Sequence, residues 1–167
     1  MAAPKGRSFY LSDSPVTLHN TEPADGFYGN MGLQCQGIEI YLPLSAKLML
    51  AAWCPSILAG VRERRAEQRR MLASAVLSPV MNRADANPQF QEQFKQLQSM
   101  GDGAGELLAS FEAGTPTTLS EENMDFQNSL QVGQAREHIV CQKADFELAR
   151  RFTREFGSGN GRRLNLA

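Results

Sequence analysis

Apolar and polar residues alternate through the first third of the chain, which is the pattern of strands with one buried face. Strands are predicted at residues 9–11 and 16–18, on either side of a Ser-Asp-Ser-Pro turn. A longer strand is predicted over residues 37–44, and residues 47–53 follow it closely enough to be its return strand. The simplest arrangement of these segments is an antiparallel meander.

The strand predicted over residues 37–44 has two different faces, because successive side chains point to opposite sides. Glu39 and Tyr41 share one face. The other face carries four aliphatic residues, Ile38, Ile40, Leu42 and Leu44. Pro43 has no amide hydrogen to donate, so the strand is expected to lie at the edge of the sheet or to end at this residue.

Helical spacing replaces this alternation from residue 56 onward, where a first helix is predicted over residues 56–77. A second helix is predicted to begin at Asn87 and Pro88, which suit a cap and a first turn, and to close at Gly101. We interpret the glycine-spaced stretch 101–105 as a link to a short helical segment.

The last third predicts a helix, a strand and a second helix. Thr118 and Glu121 match a capping box, in which both side chains accept from free backbone amides, and the helix that follows is expected to run to about residue 137. Residues 138–141 are rich in β-formers and predict a short strand. Asp145 is a suitable cap for a final helix over residues 146–156.

These elements predict an α+β fold in which a small antiparallel sheet is packed by helices from the C-terminal half. A length of 167 residues fits one domain. We place that domain at residues 8–156, with a helical and charge-segregated middle at about residues 56–118. Residues 1–7 and the basic tail 157–167 are predicted to be flexible.

Composition narrows the class of protein. A hydrophobic content of 42% with 21% charged residues is typical of globular chains rather than disordered ones. Cys35, Cys54 and Cys141 have neither disulfide nor zinc spacing, so we expect reduced thiols and a cytoplasmic protein. The sequence contains no motif for a cofactor, and none is predicted.

Residues 42–61 are apolar and about long enough to span a bilayer. Pro43, Lys47 and Pro55 interrupt this stretch, so buried strands are expected in its place and no contact with a membrane is predicted. The first residues of the chain also lack the apolar core that a secretory signal needs.

Charge is segregated along the chain, since residues 96–135 contain acidic side chains but no lysine or arginine. Clustered cations are typical of nucleic-acid binding, whereas solvation or pairing with the acidic stretch, within the fold or across a homodimer, explains the same pattern. We expect solvated or paired charge and keep nucleic acid as the alternative partner. The residues that would contact it are Arg62, Arg64, Arg65, Arg150, Arg151 and Arg154.

Asp13 occupies an unusual position for an acid. Counting by twos from Phe9 and Leu11 aims its side chain inward, where a carboxylate needs donors, a cation or a proton. The usual turn to the residue two ahead is closed, because Pro15 has no amide hydrogen. Its expected partners are the Val16 amide, Asn128 and Arg136. A structural hub, a catalytic or metal-binding acid, and an exposed turn acid all stay open as interpretations.

Asp13 and Glu39 together suggest a hydrolase of the metal-nuclease type, in which His19 would add a base or a ligand. Such sites place a lysine shortly after the second acid, and Tyr41 occupies that position, with Lys47 as the nearest substitute. Without the lysine, the site loses a main contributor to water activation and phosphate charge stabilisation. No set of metal ligands is therefore predicted.

Three segments carry a family resemblance: an apolar stretch with Ser-Asp-Ser-Pro at residues 9–16, the strand end at residues 40–45, and the asparagine-bearing helix and apolar segment at residues 128–141. In this order they resemble the second half of a bacterial family known as domain of unknown function 4238. The resemblance covers about residues 8–54 and 123–156, without a counterpart for the middle. Ser14 stands where the family has asparagine.

Members of this family typically begin with a helical half that bears a His-x-x-Pro signature, which this chain lacks. A fragment, a truncated paralogue and the product of a later start codon all stay open as interpretations. The resemblance implies a fold but no chemistry. We expect a non-catalytic binding or assembly module, with a protein partner or a homodimer as its contact and with Ser12, Asn128 and Arg136 as binding residues. The alternative is a metal- or water-dependent hydrolase, such as a phosphodiesterase or nuclease, that uses Asp13, Glu39 and His19.

Overall fold

The computed structural model of the chain describes residues 1–20, 22, 31–77, 88–156 and 165–166. The predicted helix cap at Asn87 and most of the predicted basic tail lie outside these residues, as do Arg162 and Arg163.

Three strands form the antiparallel meander that the alternation predicts, β2 (Thr17–Asn20), β3 (Ile38–Pro43) and β4 (Met49–Trp53). The central strand is β3, which ends at Pro43, so the proline is accommodated at a strand end rather than at a sheet edge. Tyr41 is only 2% exposed, whereas Leu44 is 56% exposed. The face that carries Tyr41 is thus buried more deeply than the end of the aliphatic face.

A second sheet contains the first strand of the chain. β1 (Leu11–Ser12) pairs antiparallel with β5 (His138–Val140), which pairs in parallel with β6 (Asn165–Leu166). The turn after β1 therefore connects two separate sheets, and β1 does not join the predicted meander. Its partner strand lies near the other end of the sequence, so the alternation alone could not identify it.

Two long helices follow the meander, α1 (Pro55–Leu77) and α2 (Pro88–Ala113). The first agrees with the predicted helix at residues 56–77, but the predicted link at residues 101–105 is wrong, because α2 runs through it without a break. Gly105 is buried in this helix, and its tertiary contacts offset the free-energy cost of placing glycine inside a helix. No helix among the described residues is both long and apolar enough to cross a bilayer.

The last two helices are α3 (Glu121–Gln134) and α4 (Glu147–Phe156). The predicted capping box is displaced, because the Oγ atom of Ser120, rather than that of Thr118, accepts a hydrogen bond from the Asn123 amide at 3.2 Å. Asp145 accepts from the Glu147 amide at 3.4 Å, as its predicted capping role requires.

The chain divides into two compact units, one formed by Met1–Cys54 with Pro116–Ala167 and the other by Pro55–Thr115. In the first unit, Met124 of α3 is fully buried against Phe9, Tyr41 and Met49. A second cluster in this unit contains Tyr10, Val132, Ile139, Cys141, Phe146 and Ala149. The predicted α+β fold with helices from the C-terminal half on a small sheet is confirmed, while the single domain over residues 8–156 stays a prediction.

Candidate functional site

Asp13 lies just after β1, and its carboxylate is held by the loop between α3 and β5. Its Oδ1 atom accepts a hydrogen bond from the Arg136 amide and its Oδ2 atom accepts one from the Glu137 amide, both at 2.8 Å. The Asp13 amide donates to the His138 carbonyl at 3.1 Å. Arg136 was among the expected partners, but its backbone rather than its side chain makes the contact.

The expectation that Asp13 points inward is wrong. Asp13 is exposed, and Leu11, on the same side of the strand, is 44% exposed, whereas Tyr10 and Ser12 are buried. Phe9 is buried as counting by twos requires, but from Tyr10 to Asp13 the alternation has the opposite phase, because Tyr10 and Ser12 bind to α3. The acid is nevertheless not freely solvated, since the side chain is 27% exposed and both oxygens accept backbone hydrogens.

These contacts act on the acidity of Asp13. The hydrogen bond from the Arg136 amide is the largest cause that lowers the pKa of the Asp13 carboxyl, and partial desolvation opposes it. The Glu137 and His138 amides lower the pKa further, as does the His138 imidazole, whose Nδ1 atom lies 4.0 Å from Oδ2. The ionised form is therefore favoured at neutral pH.

We predict that the Asp13→Asn variant loses stability at neutral pH and approaches the wild type in acid. Because the pKa of Asp13 is lowered in the folded state, the carboxylate stabilises the fold above its unfolded pKa of about 3.9, and this contribution disappears as the pH falls through the folded value. Urea unfolding from pH 7 to pH 2.5 measures the difference. Glu155→Gln, at an exposed position near the end of α4, is the matched control. A constant difference across this pH range would contradict the prediction.

His19 and Glu39 face each other across the meander, since they are register partners in β2 and β3. The His19 ring packs edge-on against Phe126 with a centroid distance of 4.9 Å. Glu39 accepts a hydrogen bond from the Tyr41 hydroxyl, which in turn accepts one from the Trp53 indole at 3.2 Å. Burial first, and then the bond to Glu39, raise the pKa of Tyr41 above its ordinary value.

The structure brings together two of the three predicted catalytic residues. His19 and Glu39 belong to the meander, whereas the partners of Asp13 in the described chain lie at residues 136–138, beside the other sheet. Within the described ranges, no group of three histidine, cysteine, aspartate or glutamate side chains is placed so that it could hold a metal ion.

The predicted binding residues Ser12 and Asn128 belong to a row of amide contacts along α3. Asn128 accepts from the Tyr10 amide at 2.9 Å and donates to the Ser8 carbonyl at 3.1 Å. The Oε1 atom of Gln131 accepts from the Ser12 amide at 3.1 Å and from the Ser12 hydroxyl at 2.8 Å. We call Asn128, Gln131 and Gln134 the amide row.

The amide row forms hydrogen bonds with the backbone of the N-terminal segment, as a neighbouring strand in a sheet would. Gln131 also donates to the Pro15 carbonyl at 2.9 Å, and Gln134 both accepts from the Leu18 amide at 3.2 Å and donates to the Leu18 carbonyl at 2.8 Å. Each amide has an acceptor and a donor, so one side chain can satisfy both kinds of backbone group. The helix thereby satisfies the backbone of a segment whose β-pairing is short.

Sequence reasoning found Asn128 but missed Gln131 and Gln134. The signal was available, because residues three apart lie on one face of a helix and all three residues carry amides. Gln131 is fully buried and Asn128 is 2% exposed, which is unusual for these residue types. Asn128, Gln131 and Gln134 form a polar stripe on a helix that also buries Met124 and Val132. This combination would have indicated that the amides bind the backbone of another segment.

Two polar atoms near the amide row are buried and lack a protein partner among the described residues. They are Oγ1 of Thr17, a fully buried residue, and Oε1 of Gln127, which is 3% exposed as a residue. Thr17 is the register partner of Tyr41 in β2 and β3. Each atom carries a cost unless water or another group reaches it.

The charges are partly paired within each unit. In the first unit, Arg7 contacts Asp125 through a direct hydrogen bond, and Arg151 lies 3.9 Å from the same carboxylate. In the second unit, Arg62 lies 3.5 Å from Glu112. Both acids belong to the stretch that the sequence marks as acidic, so internal pairing accounts for part of the charge segregation.

The cysteines Cys35, Cys54 and Cys141 are all free, as the absence of disulfide spacing predicts. Cys141 is buried, and its sulfur lies 3.3 Å from the Ser8 hydroxyl. The neighbouring Tyr10 hydroxyl donates to the Asp145 carbonyl at 2.6 Å. Burial, followed by the charge of Asp145, raises the pKa of Tyr10 to about 12.

The family model described as "Protein of unknown function (DUF4238)" matches residues 1–145 of the chain. The match includes the middle of the chain, for which the resemblance of separate segments offered no counterpart. Searches of curated proteins and of solved structures returned no match.

Proposed function

Since this chain belongs to the DUF4238 family, whose description assigns no activity, we propose that it is a non-catalytic binding or assembly module. The observation that carries the proposal is the hydrogen bonding of Asp13. Each of its carboxylate oxygens lies 2.8 Å from the backbone nitrogen that donates to it. The two backbone donors fix the orientation of the carboxylate at the loop between α3 and β5 and use about two of its roughly four lone-pair sites, as a structural hydrogen-bond hub does.

The other predicted site residues support the same proposal. Glu39 is engaged by the Tyr41 hydroxyl, and the amide of Asn128 is used on both its donor and its acceptor side. The single Ser12 O–H has two acceptors within reach, Oε1 of Gln131 at 2.8 Å and the Ser14 carbonyl at 2.9 Å, and the Ser12 oxygen accepts from the Ser14 amide at 3.3 Å. These hydrogen bonds stabilise the first unit. If the unit binds a partner, these groups keep their present contacts within the unit.

A thermal-shift experiment with divalent metals tests the proposal. Wild type and Asp13→Asn are heated with Mg²⁺, Mn²⁺ or Zn²⁺, and both are assayed for hydrolysis of bis(p-nitrophenyl) phosphate. A non-catalytic module should show no metal-dependent increase in Tm that Asp13→Asn removes, and no turnover. Stabilisation by a metal that depends on Asp13, together with hydrolysis, would overturn the proposal.

The rival function is a metal- or water-dependent hydrolase, and one observation favours it: His19 and Glu39 are cross-strand neighbours. An imidazole beside a carboxylate can act as a general base. Turnover that disappears in His19→Gln and Glu39→Gln but persists in Asp13→Asn would assign the chemistry to this pair. The same hydrolysis assay therefore separates a hydrolase that uses Asp13 from one that uses only His19 and Glu39.

For the first unit, we propose contact with another protein, in the simplest case a second copy of this chain. Leu11 and Val140 are register partners in β1 and β5, are 44% and 49% exposed, and line an apolar groove of about 220 Å³ with Phe9 and Leu44. Exposed apolar surface of this kind is typical of protein contacts. Sedimentation equilibrium of wild type and of Leu11→Gln should show association that the variant weakens. An equally monomeric wild type would exclude the second copy.

The cellular location that we propose is the cytoplasm. Three free thiols, one of them buried, support a compartment in which cysteines stay reduced.

A further inference from the structure

The second unit contains a groove between α1 and α2 whose walls are strongly basic. The groove has a volume of about 450 Å³, which lies in the range of small-molecule sites. Arg62, Arg65 and Arg69 line it from α1, and Leu108 and Glu112 are on the α2 side. Three guanidinium groups thus face one carboxylate, which is an excess of positive charge in a concave surface.

The guanidinium of Arg65 occupies the space beside Gly105, which is open because glycine has no side chain. A Cβ atom at Gly105 would lie 2.6 Å from Nη2 and 3.0 Å from Cζ of Arg65, so only glycine leaves room for the guanidinium in this position. Glycine inside a helix is unfavourable compared with alanine. The close approach of Arg65 supplies a structural reason for a buried glycine within α2.

The Nε–H group of Arg65 has no acceptor among the described residues, although the Nε atom is buried. A buried donor on a charged group is costly to leave unpaired. Arg62 lies 3.5 Å from Glu112, the one acidic side chain among the described residues that line the groove. Arg65 and Arg69 form no ion pair within the described part of the chain, so their positive charge is left unmatched in the groove.

We propose that this groove binds a small phosphate ester, with the phosphate on Arg65 and Arg69 and the organic part over Leu108. Guanidinium groups match the oxygens of phosphate in geometry and charge. The volume suits one small molecule, while the apolar wall suits the part of the ligand that carries no charge. This inference rests on the proposed binding role and names a ligand class for it.

Isothermal titration calorimetry with adenosine monophosphate, adenosine and inorganic phosphate tests the inference on the full chain. Adenosine monophosphate should bind, and adenosine should not, because the phosphate supplies the main contact. Inorganic phosphate should bind more weakly, because it makes no contact with Leu108. Arg65→Gln and Arg69→Gln should each weaken the affinity for adenosine monophosphate about ten- to hundredfold.

The glycines of α2 provide a matched pair of variants. Gly105→Ala introduces a methyl group where the Arg65 guanidinium lies, so the guanidinium must shift and binding should weaken. Gly103→Ala, two residues earlier in the same helix, meets nothing within 4 Å and should bind like the wild type while gaining the same helix propensity. If Gly105→Ala does not fold, the two arginine variants still decide the outcome.

Three results would overturn the inference: no binding of adenosine monophosphate, equal binding of adenosine, or equal affinity in Gly105→Ala and Gly103→Ala. A 20-nucleotide single strand is titrated in parallel, and strand binding without adenosine monophosphate binding would replace the small phosphate ester by nucleic acid. Conversion of adenosine monophosphate to adenosine would contradict the proposed non-catalytic role and leave the groove assignment intact. Absence of binding would remove the groove assignment and leave the metal test of the first unit unchanged.

Discussion

The Asn128→Asp variant is expected to lose about 3–5 kcal/mol of unfolding free energy at pH 7, the largest single effect that we predict. Asn128 is 2% exposed, accepts from the Tyr10 amide and donates to the Ser8 carbonyl. A carboxylate of the same shape keeps the first contact but places a negative charge against the Ser8 carbonyl oxygen. The buried charge is then uncompensated on that side.

The pKa shift behind this loss is opposite in direction to that of Asp13, although both variants lose stability at neutral pH rather than in acid. Burial and the Ser8 carbonyl favour the protonated acid at position 128, so its folded pKa would be raised above the unfolded value of about 3.9. A protonated acid can donate to Ser8 as the amide does. The variant should therefore approach the wild type near pH 4 and lose at most about 1.4 kcal/mol per pH unit above it.

Asn123→Asp is the matched control, because it makes the same chemical change in the same helix at an exposed position. Asn123 lies in the first turn of α3, where a negative charge interacts favourably with the helix dipole. Chemical denaturation of both variants at several pH values measures the comparison. Equal stability of the two variants at pH 7 would show that the contacts of Asn128 do not stabilise the fold.

The Gln131→Met variant is expected to lose about 2–4 kcal/mol of unfolding free energy, largely independent of pH between 5 and 8. Methionine nearly conserves the volume, so the change is mainly the removal of hydrogen-bonding groups. Gln131 is fully buried and serves the Ser12 amide, the Ser12 hydroxyl and the Pro15 carbonyl. The Ser12 amide and the Pro15 carbonyl would be left without these partners.

Gln134→Met provides the comparison for Gln131→Met. Gln134 makes two hydrogen bonds, both to Leu18, but it is only half-buried, so water can replace the lost amide. We expect a loss of about 1 kcal/mol or less, measured by urea unfolding under the same conditions. A larger loss for Gln134→Met than for Gln131→Met would mean that burial does not govern the strength of the amide row.

Asp13 shows how far the candidate site could be predicted. The sequence correctly marked it as an acid that cannot use the usual turn contact and must find donors elsewhere, and Arg136 was among the expected partners. The direction of the side chain was wrong, because Phe9 and Tyr10 are both buried and the alternation counted from Phe9 does not continue through Leu11. The α3 helix decided this, since its amides hold Tyr10 and Ser12 on the inner side.

Gly101 and the neighbouring glycines show a second limit. Their spacing predicts a link, since isolated glycine lowers helix propensity. The structure continues α2 through this stretch, and Arg65 from another helix occupies the space beside Gly105. Propensity describes one residue in its own segment, whereas here the packing partner comes from forty positions away in the chain.

By itself, the sequence determined the meander of β2, β3 and β4, the ends of β3 and α1, and the free state of the cysteines, because each depends on neighbouring residues or on residue chemistry. Only the tertiary structure decided that β1 pairs with β5, that α3 replaces a strand beside residues 8–18, and that three arginines share one groove. These features join segments that are distant in the chain. Periodicity records the spacing of buried positions along a segment, but not what buries them.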